Sequence, residues 1–393
     1  MGDPASRRDS HQGLRPRRQR GRHRGQRTAR AAVPARVRPP RWHLVGRAAR
    51  QRSAQGGAED HPRDGAKRHI DAREPRSLTR TRGGRDVERP HAAVTVRPPR
   101  LPRRLVYLGT PELAVPPLRA LHEAGFEIAL VVSRADKRRM RGSALAPSPV
   151  KAAALELGLP VTDQVDDVLS VDADLGVVVA FGRLIKPHVL DRLPMVNLHF
   201  SLLPRWRGAA PVERAILSGD RETGVGVMAV EEGLDTGAIY AEERVTIDDD
   251  LTLAELRGVL VERGTRLLLD LLRDGIGEPR AQVGEPTYAA KIEPHEHQLD
   301  WSQPAVQLAR VVRLGEAWTT FRGRRLKVHR AHAVERSTLA PAVLDGPLVG
   351  TGSGALELVI VQPEGKAPMP VSAWRNGARP QFGERLGDVR DGE

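Results

Sequence analysis

The run NLHFSLLPRWRGAAP, which begins at Asn197, places an amide and an imidazole beside a loop rich in Pro, Gly and Arg. The stretch MVNLHF is typical of a buried strand, and residues two apart on a strand share a face, so we expect Asn197 and His199 to point the same way. Asp235, in a GLDTG segment, adds a carboxylate. An amide and a protonated imidazole can stabilise the oxyanion formed when an amine attacks a carbonyl, and a carboxylate can accept the amine's proton. These three residues are therefore predicted to catalyse acyl transfer.

The elements that must position these residues are predicted from alternating apolar and amphipathic stretches. Strands separated by helices indicate a parallel sheet covered on both faces, with the active site beyond the carboxyl ends of the strands. The strands are predicted at 104–108, 127–132, 174–181, 195–200 and 224–230, and the helices at 111–124 and 150–157. The fold class is thus α/β.

A long amphipathic helix is predicted to begin with a capping box at Thr252 and Glu255. Its apolar side is expected to carry Leu256, Leu260, Leu267 and Leu271. The stretch 274–298 is rich in Gly, Pro and charge, which is typical of a linker. Beyond it, RLKVHRAHAV and ALELVIVQ with Gly-rich turns between them predict a small antiparallel β domain.

Longer stretches of the chain resemble the folate-dependent formyltransferases. The resemblance runs from VYLGTPELAVPPL through APSPVK and VVAFGRLI to QPEGK and GERLG near the C-terminus. The family's catalytic Asn, His and Asp fall on Asn197, His199 and Asp235. Its tetrahydrofolate-binding SLLP falls on four consecutive residues, namely Ser201, Leu202, Leu203 and Pro204. Every matched position is intact.

The resemblance also implies a substrate, since RWRGAAP together with GTPE is similar to the family branch that acts on initiator tRNA. It implies transfer of the formyl group of 10-formyltetrahydrofolate, a co-substrate, to the amino group of methionyl initiator tRNA, without a metal. The implied setting is the bacterial cytoplasm, during translation initiation. The expected partners are the tRNA and the folate, with no membrane, and the expected state is a monomer.

Arginines at two places are predicted to contact the tRNA. A run of like charge is usually a solvated surface, but the family carries a basic insertion after the second strand that embraces the acceptor stem. Arg138, Arg139 and Arg141 lie at this place, and Arg141-Gly142 matches the family's Arg-Gly. Arg205 and Arg207 lie beside the expected folate site. Phosphate contacts by such residues would make binding depend on salt.

The first hundred residues hold 27 of the 63 Lys and Arg but only 9 of the 49 Asp and Glu, so this segment carries +18 and the rest −4. With almost no apolar runs, it is predicted to be disordered. A basic RNA-binding arm and a targeting segment are alternatives, but a start site placed too far upstream is favoured because Arg, Ala, Gly and Pro are encoded by GC-rich codons. We therefore divide the chain into an Arg-rich extension (1–103), a Rossmann-like formyltransferase domain (104–278), a linker (279–298) and a C-terminal β-barrel (299–393). The resemblance makes that barrel OB-like and tRNA-binding.

Several weaker signals are assigned no catalytic role. The segment Gly109–Pro111 could present a helix N-terminus to an anion, but a tight turn is favoured. His295 and His297 flank Glu296 without the spacing of a metal motif and are expected to lie in an exposed linker. The loop at 313–318 is shorter than the family's, so tRNA contact there is expected to differ.

Two other functions stay open at this point. The same trio could formylate an amino sugar or a purine-pathway amine, because the catalytic residues do not choose the acceptor. Alternatively, the chain could be an RNA-binding protein with an idle site. No apolar run reaches the ~20 residues of a membrane span. The chain has no Cys, which excludes disulfides and thiolate metal sites.

Overall fold

The computed structural model of this chain describes residues 96–138 and 145–387. Most of the predicted extension, residues 1–95, thus lies outside the described residues. Its last residue is held by the domain that follows, because the amide of Arg103, like that of Arg104 at the start of the domain, donates to Asp174 Oδ2 at 2.8 Å. These two hydrogen bonds lower the pKa of the Asp174 carboxyl. Arg100 O likewise accepts from Ile276 N at 2.8 Å.

The N-terminal part of the described chain alternates strands and helices, as predicted. In chain order the elements are β1 (Arg104–Gly109), α1 (Val115–Glu123), β2 (Glu127–Val132), β3 (Lys137–Arg138), β4 (Leu145–Ala146), α2 (Pro149–Glu156), β5 (Val161–Thr162), β6 (Leu175–Val179), α3 (Pro187–Leu190), β7 (Met195–His199), β8 (Arg207–Gly208), α4 (Pro211–Ser218), β9 (Glu222–Ala229), β10 (Ile239–Thr246) and α5 (Leu253–Asp274). Short 3-10 turns lie at Glu112–Ala114 and Val165–Ser170.

Seven of these strands form one sheet in the order β10-β9-β7-β6-β1-β2-β5. Five neighbouring strands, β7, β6, β1, β2 and β5, are parallel to one another, which confirms the predicted parallel sheet over most of its width. The edge differs, because β9 runs antiparallel to both β7 and β10. Residues 200–221 leave β7 and enter β9 at the same end of the sheet, so β9 has to run back along β7. The expectation that all strands are parallel is wrong at this edge.

The sheet is covered on both faces, as the near-continuous apolar strands predict. Along β1, Leu105 and Tyr107 face a core that α1, α2 and α5 complete, whereas Val106 and Leu108 face a second core on the opposite side. All four side chains are fully buried. This alternation follows from the two-residue period of a strand.

Helix α5 begins at the predicted capping box, in which Thr252 Oγ1 accepts from Glu255 N and the Glu255 side chain accepts from Thr252 N. Leu256 and Leu260 are buried as expected. Leu268 and Leu272 are buried next, while Leu267 and Leu271 are only half-buried, because the face in contact with the sheet advances in steps of four from Leu256. At Gly264 a Cβ would lie 2.7 Å from a Val225 methyl, so this helix packs against the sheet without a side chain between them.

The C-terminal part forms the predicted antiparallel β domain. Before it come β11 (Tyr288–Ala289), which pairs with β8, and a 3-10 turn (Pro294–His297). Its own elements are α6 (Ala305–Arg313), β12 (Trp318–Phe321), β13 (Arg324–Val334), β14 (Leu344–Asp345), β15 (Leu348–Gly350), β16 (Ala355–Pro363), β17 (Met369–Pro370) and α7 (Val371–Ala378). The strands pair in the order β12-β13-β16-β15-β14, with β17 on β16. They surround a separate apolar core that includes Leu326, Val328 and Trp374. In the described part of the chain, no helix is long and apolar enough to cross a membrane.

The residues between the two parts do not form a free linker. Arg214, on α4, makes two hydrogen bonds of 2.6 and 3.0 Å with the Glu296 carboxylate, and it also donates to Ala290 O and Lys291 O. The expectation that Glu296 lies in an exposed linker is therefore wrong, because both partners are mostly buried.

The Glu296→Gln variant tests the contribution of the Arg214–Glu296 pair to stability. The hydrogen bonds from Arg214 lower the pKa of Glu296 below its usual value, so its stabilisation is present above the unfolded pKa of about 4.3 and is lost as the pH falls through the lower folded pKa. We expect the variant to lose about 1.5–3 kcal/mol of unfolding free energy at pH 7 and progressively less below pH 4. Urea unfolding at pH 7 and below pH 4 measures the difference in unfolding free energy from wild type, with Glu285→Gln, at an exposed residue, as the control. A deficit that stays constant with pH would contradict the assignment.

Candidate active site

The three predicted catalytic side chains meet at the carboxyl end of β7. Asn197 and His199 lie two residues apart on this strand and point to the same side. Asp235 reaches them from the loop between β9 and β10. Its Oδ1 accepts from Asn197 Nδ2 at 3.5 Å, and its Oδ2 lies 3.7 Å from His199 Nδ1. The tertiary structure thus brings together an amide, an imidazole and a carboxylate.

The two nitrogens of the His199 ring have different neighbours. Nε2 donates to the carbonyl oxygen of Trp206 at 3.0 Å, which requires a proton on Nε2 because a carbonyl can only accept. Nδ1 faces the Asp235 carboxylate, so each ring nitrogen has an acceptor for a proton. Since His199 is 95% buried and Nε2 is engaged, Nδ1 is the ring nitrogen left to contact a substrate.

The Asp235 carboxylate is held from a second direction. Gly208 N donates to Oδ2 at 2.8 Å, so this oxygen has a short, well-formed hydrogen bond besides the more distant His199. Asp235 itself has a φ of 51°, in the left-handed region that Asp tolerates better than most residues. The Gly208 amide and the backbone conformation of Asp235 itself therefore both fix the position of this carboxylate.

A cleft of about 500 Å³ opens directly onto the three side chains. One wall is the segment 180–185, and the other consists of Val230, Glu231 and residues 233–235. The lining is mainly apolar and includes Val178, Phe181, Leu198, Met228, Val230 and Leu234. Its volume lies within the range of ordinary small-molecule sites.

The four residues predicted to bind folate lie beside this cleft and are not among those that line it. Ser201 is buried, and its hydroxyl donates to Arg205 O at 2.6 Å. Leu203 packs against Met228 and Ile239. These contacts shape the loop that carries Trp206 and Gly208. A direct folate contact by Ser201–Pro204 stays a prediction.

The arginines predicted to contact tRNA have different environments. Arg138 is exposed at the end of β3, whereas Arg139 and Arg141 lie outside the described residues. Arg205 makes two hydrogen bonds with Asp220, which raise the pKa of its guanidinium, and it stacks on Trp206 at 4.4 Å. Arg207 donates two hydrogen bonds to Gln282.

The weaker signals are part of the fold. Thr110, in the turn after β1, donates from its hydroxyl to Phe181 O at 3.4 Å, next to the cleft wall. His295 and His297 lie in the 3-10 turn that carries Glu296. Throughout residues 96–138 and 145–387, no cluster of three or more His, Asp or Glu is arranged to hold a metal ion.

Sequence reasoning missed two features of this site. The first is the cleft wall at 180–185, which the VVAFGRLI stretch could have indicated because it continues a buried strand into an apolar loop. The second is Gln282, whose Nε2 donates to the backbone oxygens of both Asp235 and Gly237 at 2.8 Å. Nothing local identifies Gln282, since its surroundings are typical of a linker.

Comparison with known proteins gives two family matches. The Formyl transferase profile matches residues 103–272, and the profile of the Formyl transferase C-terminal domain matches residues 291–379. Methionyl-tRNA formyltransferase of Clavibacter sepedonicus is 42% identical over 295 residues, which are 70% of this chain and 97% of the relative. The Streptomyces coelicolor protein of the same name is 43% identical over 310 residues, 72% of this chain and 100% of the relative.

The same architecture occurs in a solved structure. The N-formyltransferase from Helicobacter canadensis, in complex with folinic acid and dTDP-3-aminofucose, superimposes with a TM-score of 0.51. The match covers 66% of this chain and 99% of that one at 15% identity, so the likeness concerns the fold alone.

Proposed function

The chain belongs to the formyl transferase family, and we propose from this that it transfers the formyl group of 10-formyltetrahydrofolate to the amino group of methionyl initiator tRNA. The two relatives that carry this activity in their names are matched over 97% and 100% of their lengths, including both domains. Such full-length similarity bears out the resemblance stated from the sequence. We place the reaction in the bacterial cytoplasm, where translation begins, and propose that one chain suffices because all three catalytic side chains belong to it.

The observation that carries the proposal is the meeting of Asn197, His199 and Asp235 at the mouth of one apolar cleft. The cleft suits the flat, partly apolar ring system of a folate. Its walls offer Phe181 and Leu234 to the faces of a ring, and backbone groups of two loops to its polar edge. The folate supplies the formyl carbonyl, which has to lie beside the three side chains.

The residues then have separate tasks in a direct transfer without a covalent enzyme intermediate. Asn197 Nδ2 donates to the oxygen that becomes negative when the amine attacks the formyl carbon. His199 contributes its positive charge at the same place and gives its Nδ1 proton to the folate nitrogen that leaves when the bond from this nitrogen to the formyl carbon breaks, so that tetrahydrofolate departs neutral. Asp235 accepts the proton that the amine has to lose, directly or through a water. The separations of 3.5 and 3.7 Å are long for hydrogen bonds and are expected to shorten once substrates are bound.

The acceptor tRNA is proposed to contact both the catalytic domain and the C-terminal domain. Arg138, Arg139 and Arg141 are assigned to phosphate contacts, and the domain beyond residue 299 to a second contact surface. Asp220 largely neutralises the charge of Arg205, so we expect Arg205 to contribute less to phosphate binding than Arg138, Arg139 and Arg141. Arg207 and the Ser201–Pro204 segment shape the loop between folate and tRNA.

Formyl transfer by the purified protein tests this proposal. The full chain and a chain that begins at Val96 are incubated with 10-formyltetrahydrofolate and methionyl initiator tRNA, and formylmethionine is measured after hydrolysis of the ester. Cutting before Val96 retains the Arg97–Glu278 ion pair and the Arg100–Ile276 hydrogen bond. We expect equal turnover by both forms.

Alternative acceptors decide between the members of this family. A dTDP-linked amino sugar and an aminoacylated elongator tRNA serve as competing acceptors under the same conditions. Formylation of the amino sugar in preference to methionyl initiator tRNA would overturn the proposed acceptor but leave the chemistry intact. Transfer by the full chain alone would assign a function to residues 1–95.

A further inference from the structure

Residues 280–289, here called the strap, lie between the two family matches in sequence and contact two loops of the active site in space. At one end, Arg280 and Ile239 exchange backbone hydrogen bonds of 2.8 and 2.9 Å, which ties the strap to the start of β10. At the other end, β11 pairs in parallel with β8. The strap therefore connects the loop that carries Asp235 with the loop that carries Trp206 and Gly208.

The pairing of β11 with β8 positions the Gly208 amide, which contacts Asp235. Thr287 O accepts from Arg207 N at 2.8 Å, and Ala289 O accepts from Ala209 N at 2.9 Å. These two bonds hold the backbone on either side of Gly208, whose own amide donates to Asp235 Oδ2. At Gly208 a Cβ would lie 3.0 Å from Ala289 O, so the two segments are in direct contact.

Gln282 joins the two loops through its side chain. Its Oε1 accepts from Arg207 Nε at 3.1 Å and from an Arg207 terminal nitrogen at 2.6 Å. Its Nε2 donates to Asp235 O and to Gly237 O, both at 2.8 Å. Because Arg can only donate and a carbonyl can only accept, the amide has one possible orientation. Both of its protons and its oxygen are fully used.

These bonds act on a residue that needs support. A non-Gly residue in the left-handed region is strained and persists only where its surroundings hold it. Asp235 is such a residue, and the carbonyl oxygens on both sides of Thr236 are fixed by one amide group. Gln282 thus holds the backbone of the loop that carries the Asp235 carboxylate.

We propose that Gln282 is a positioning residue that holds the Asp235 loop against the Arg207–Gly208 backbone. The inference rests on the proposed formyl transfer only for its activity readout. Gln282 touches no reacting atom and acts through Asp235. Its loss is expected to affect the chemical step more than the binding of either substrate.

Two substitutions separate the two halves of the amide. Gln282→Leu removes all four hydrogen bonds, whereas Gln282→Glu keeps an acceptor for Arg207 but turns a second oxygen toward the two loop carbonyls. Since misplacement of a reacting group by about 1 Å can cost up to 10²-fold in rate, we expect both variants to lower kcat by about 10- to 100-fold with KM values within about threefold. Activity retained by Gln282→Glu alone would show that the Arg207 contact matters and would overturn positioning through Asp235.

Val283→Ala is the matched control, because Val283 is the next residue of the strap and is 87% exposed. It should leave kcat and the melting temperature unchanged. If Gln282→Leu lowers the melting temperature, the Gln282→Glu variant, which has the same size and shape, supplies the kinetic comparison.

A double-mutant cycle identifies the route of the effect. If Gln282 acts through Asp235, then Gln282→Leu should cause little further loss in the Asp235→Asn background, because the group that it positions no longer accepts the proton. Losses that multiply in the double variant would overturn the proposal. So would full activity of Gln282→Leu.

Failure of the proposed function gives a different result. In that case the wild-type protein itself transfers no formyl group to methionyl initiator tRNA. The positioning claim is then judged from crystal structures of wild type and Gln282→Leu, in which a displaced Asp235 loop supports it and an unchanged loop overturns it.

Discussion

The Asp235→Asn variant is expected to lower the turnover of formyl transfer by about 10²–10⁴-fold. The substitution keeps the size of the side chain but removes the negative charge beside His199 and the acceptor for the amine proton. Gly208 N and Asn197 Nδ2 currently donate to the two oxygens, so an Asn amide would also turn an N–H group toward one of these donors. Single-turnover kinetics with saturating folate and tRNA measure the chemical step alone.

The control for this experiment is Glu232→Gln, which makes the same chemical change on the same loop at an exposed residue that does not line the cleft. It should leave turnover unchanged. Binding of 10-formyltetrahydrofolate, measured by fluorescence or calorimetry, should persist in Asp235→Asn. Turnover within about twofold of wild type in this variant would remove Asp235 from proton transfer.

The second large effect is expected for Asn197→Ala, which should lower turnover by about 10²–10³-fold, the range found when one oxyanion donor is lost. Asn197 lies on a strand of the central sheet and lines the cleft, so its amide is held by rigid structure. One Nδ2 proton is directed to Asp235, and the other is free to face the reacting oxygen. Turnover and KM for both substrates are measured in parallel.

The same substitution at Asn376, an exposed residue of α7 in the C-terminal domain, is the matched control. Asn376→Ala should behave like wild type. A rise in KM for the folate at unchanged turnover in Asn197→Ala would contradict oxyanion stabilisation, because it would indicate a contact made equally in ground state and transition state.

The parts of the site that could be predicted are those with a short sequence period. Asn197 and His199 share a face because strand residues alternate, and the structure places both against Asp235. The capping box of α5 at Thr252 was predictable because its two partners are three residues apart. The two-face burial of β1 follows from its unbroken apolar run.

The parts that could not be predicted depend on contacts between distant residues. The Arg205–Asp220 pair spans 15 residues, and the contacts of Gln282 with Asp235 and Arg207 span 47 and 75 residues. A segment rich in Gly, Pro and charge is typical of a linker, and nothing in its local pattern separates a free linker from one that is pinned at both ends. The reversed direction of β9 is decided by the path of residues 200–221.

By itself the sequence determined the family of this protein, which three residues are proposed to form the catalytic trio, and that a parallel sheet would present them at a strand end. These follow from residue types and from periods of two to four residues, which local backbone geometry enforces. Only the tertiary structure decided where the cleft lies and which groups hold Asp235 in place. The reason is physical, since a hydrogen bond such as that from Gln282 to the Asp235 backbone exists only after folding has brought together loops that are far apart along the chain.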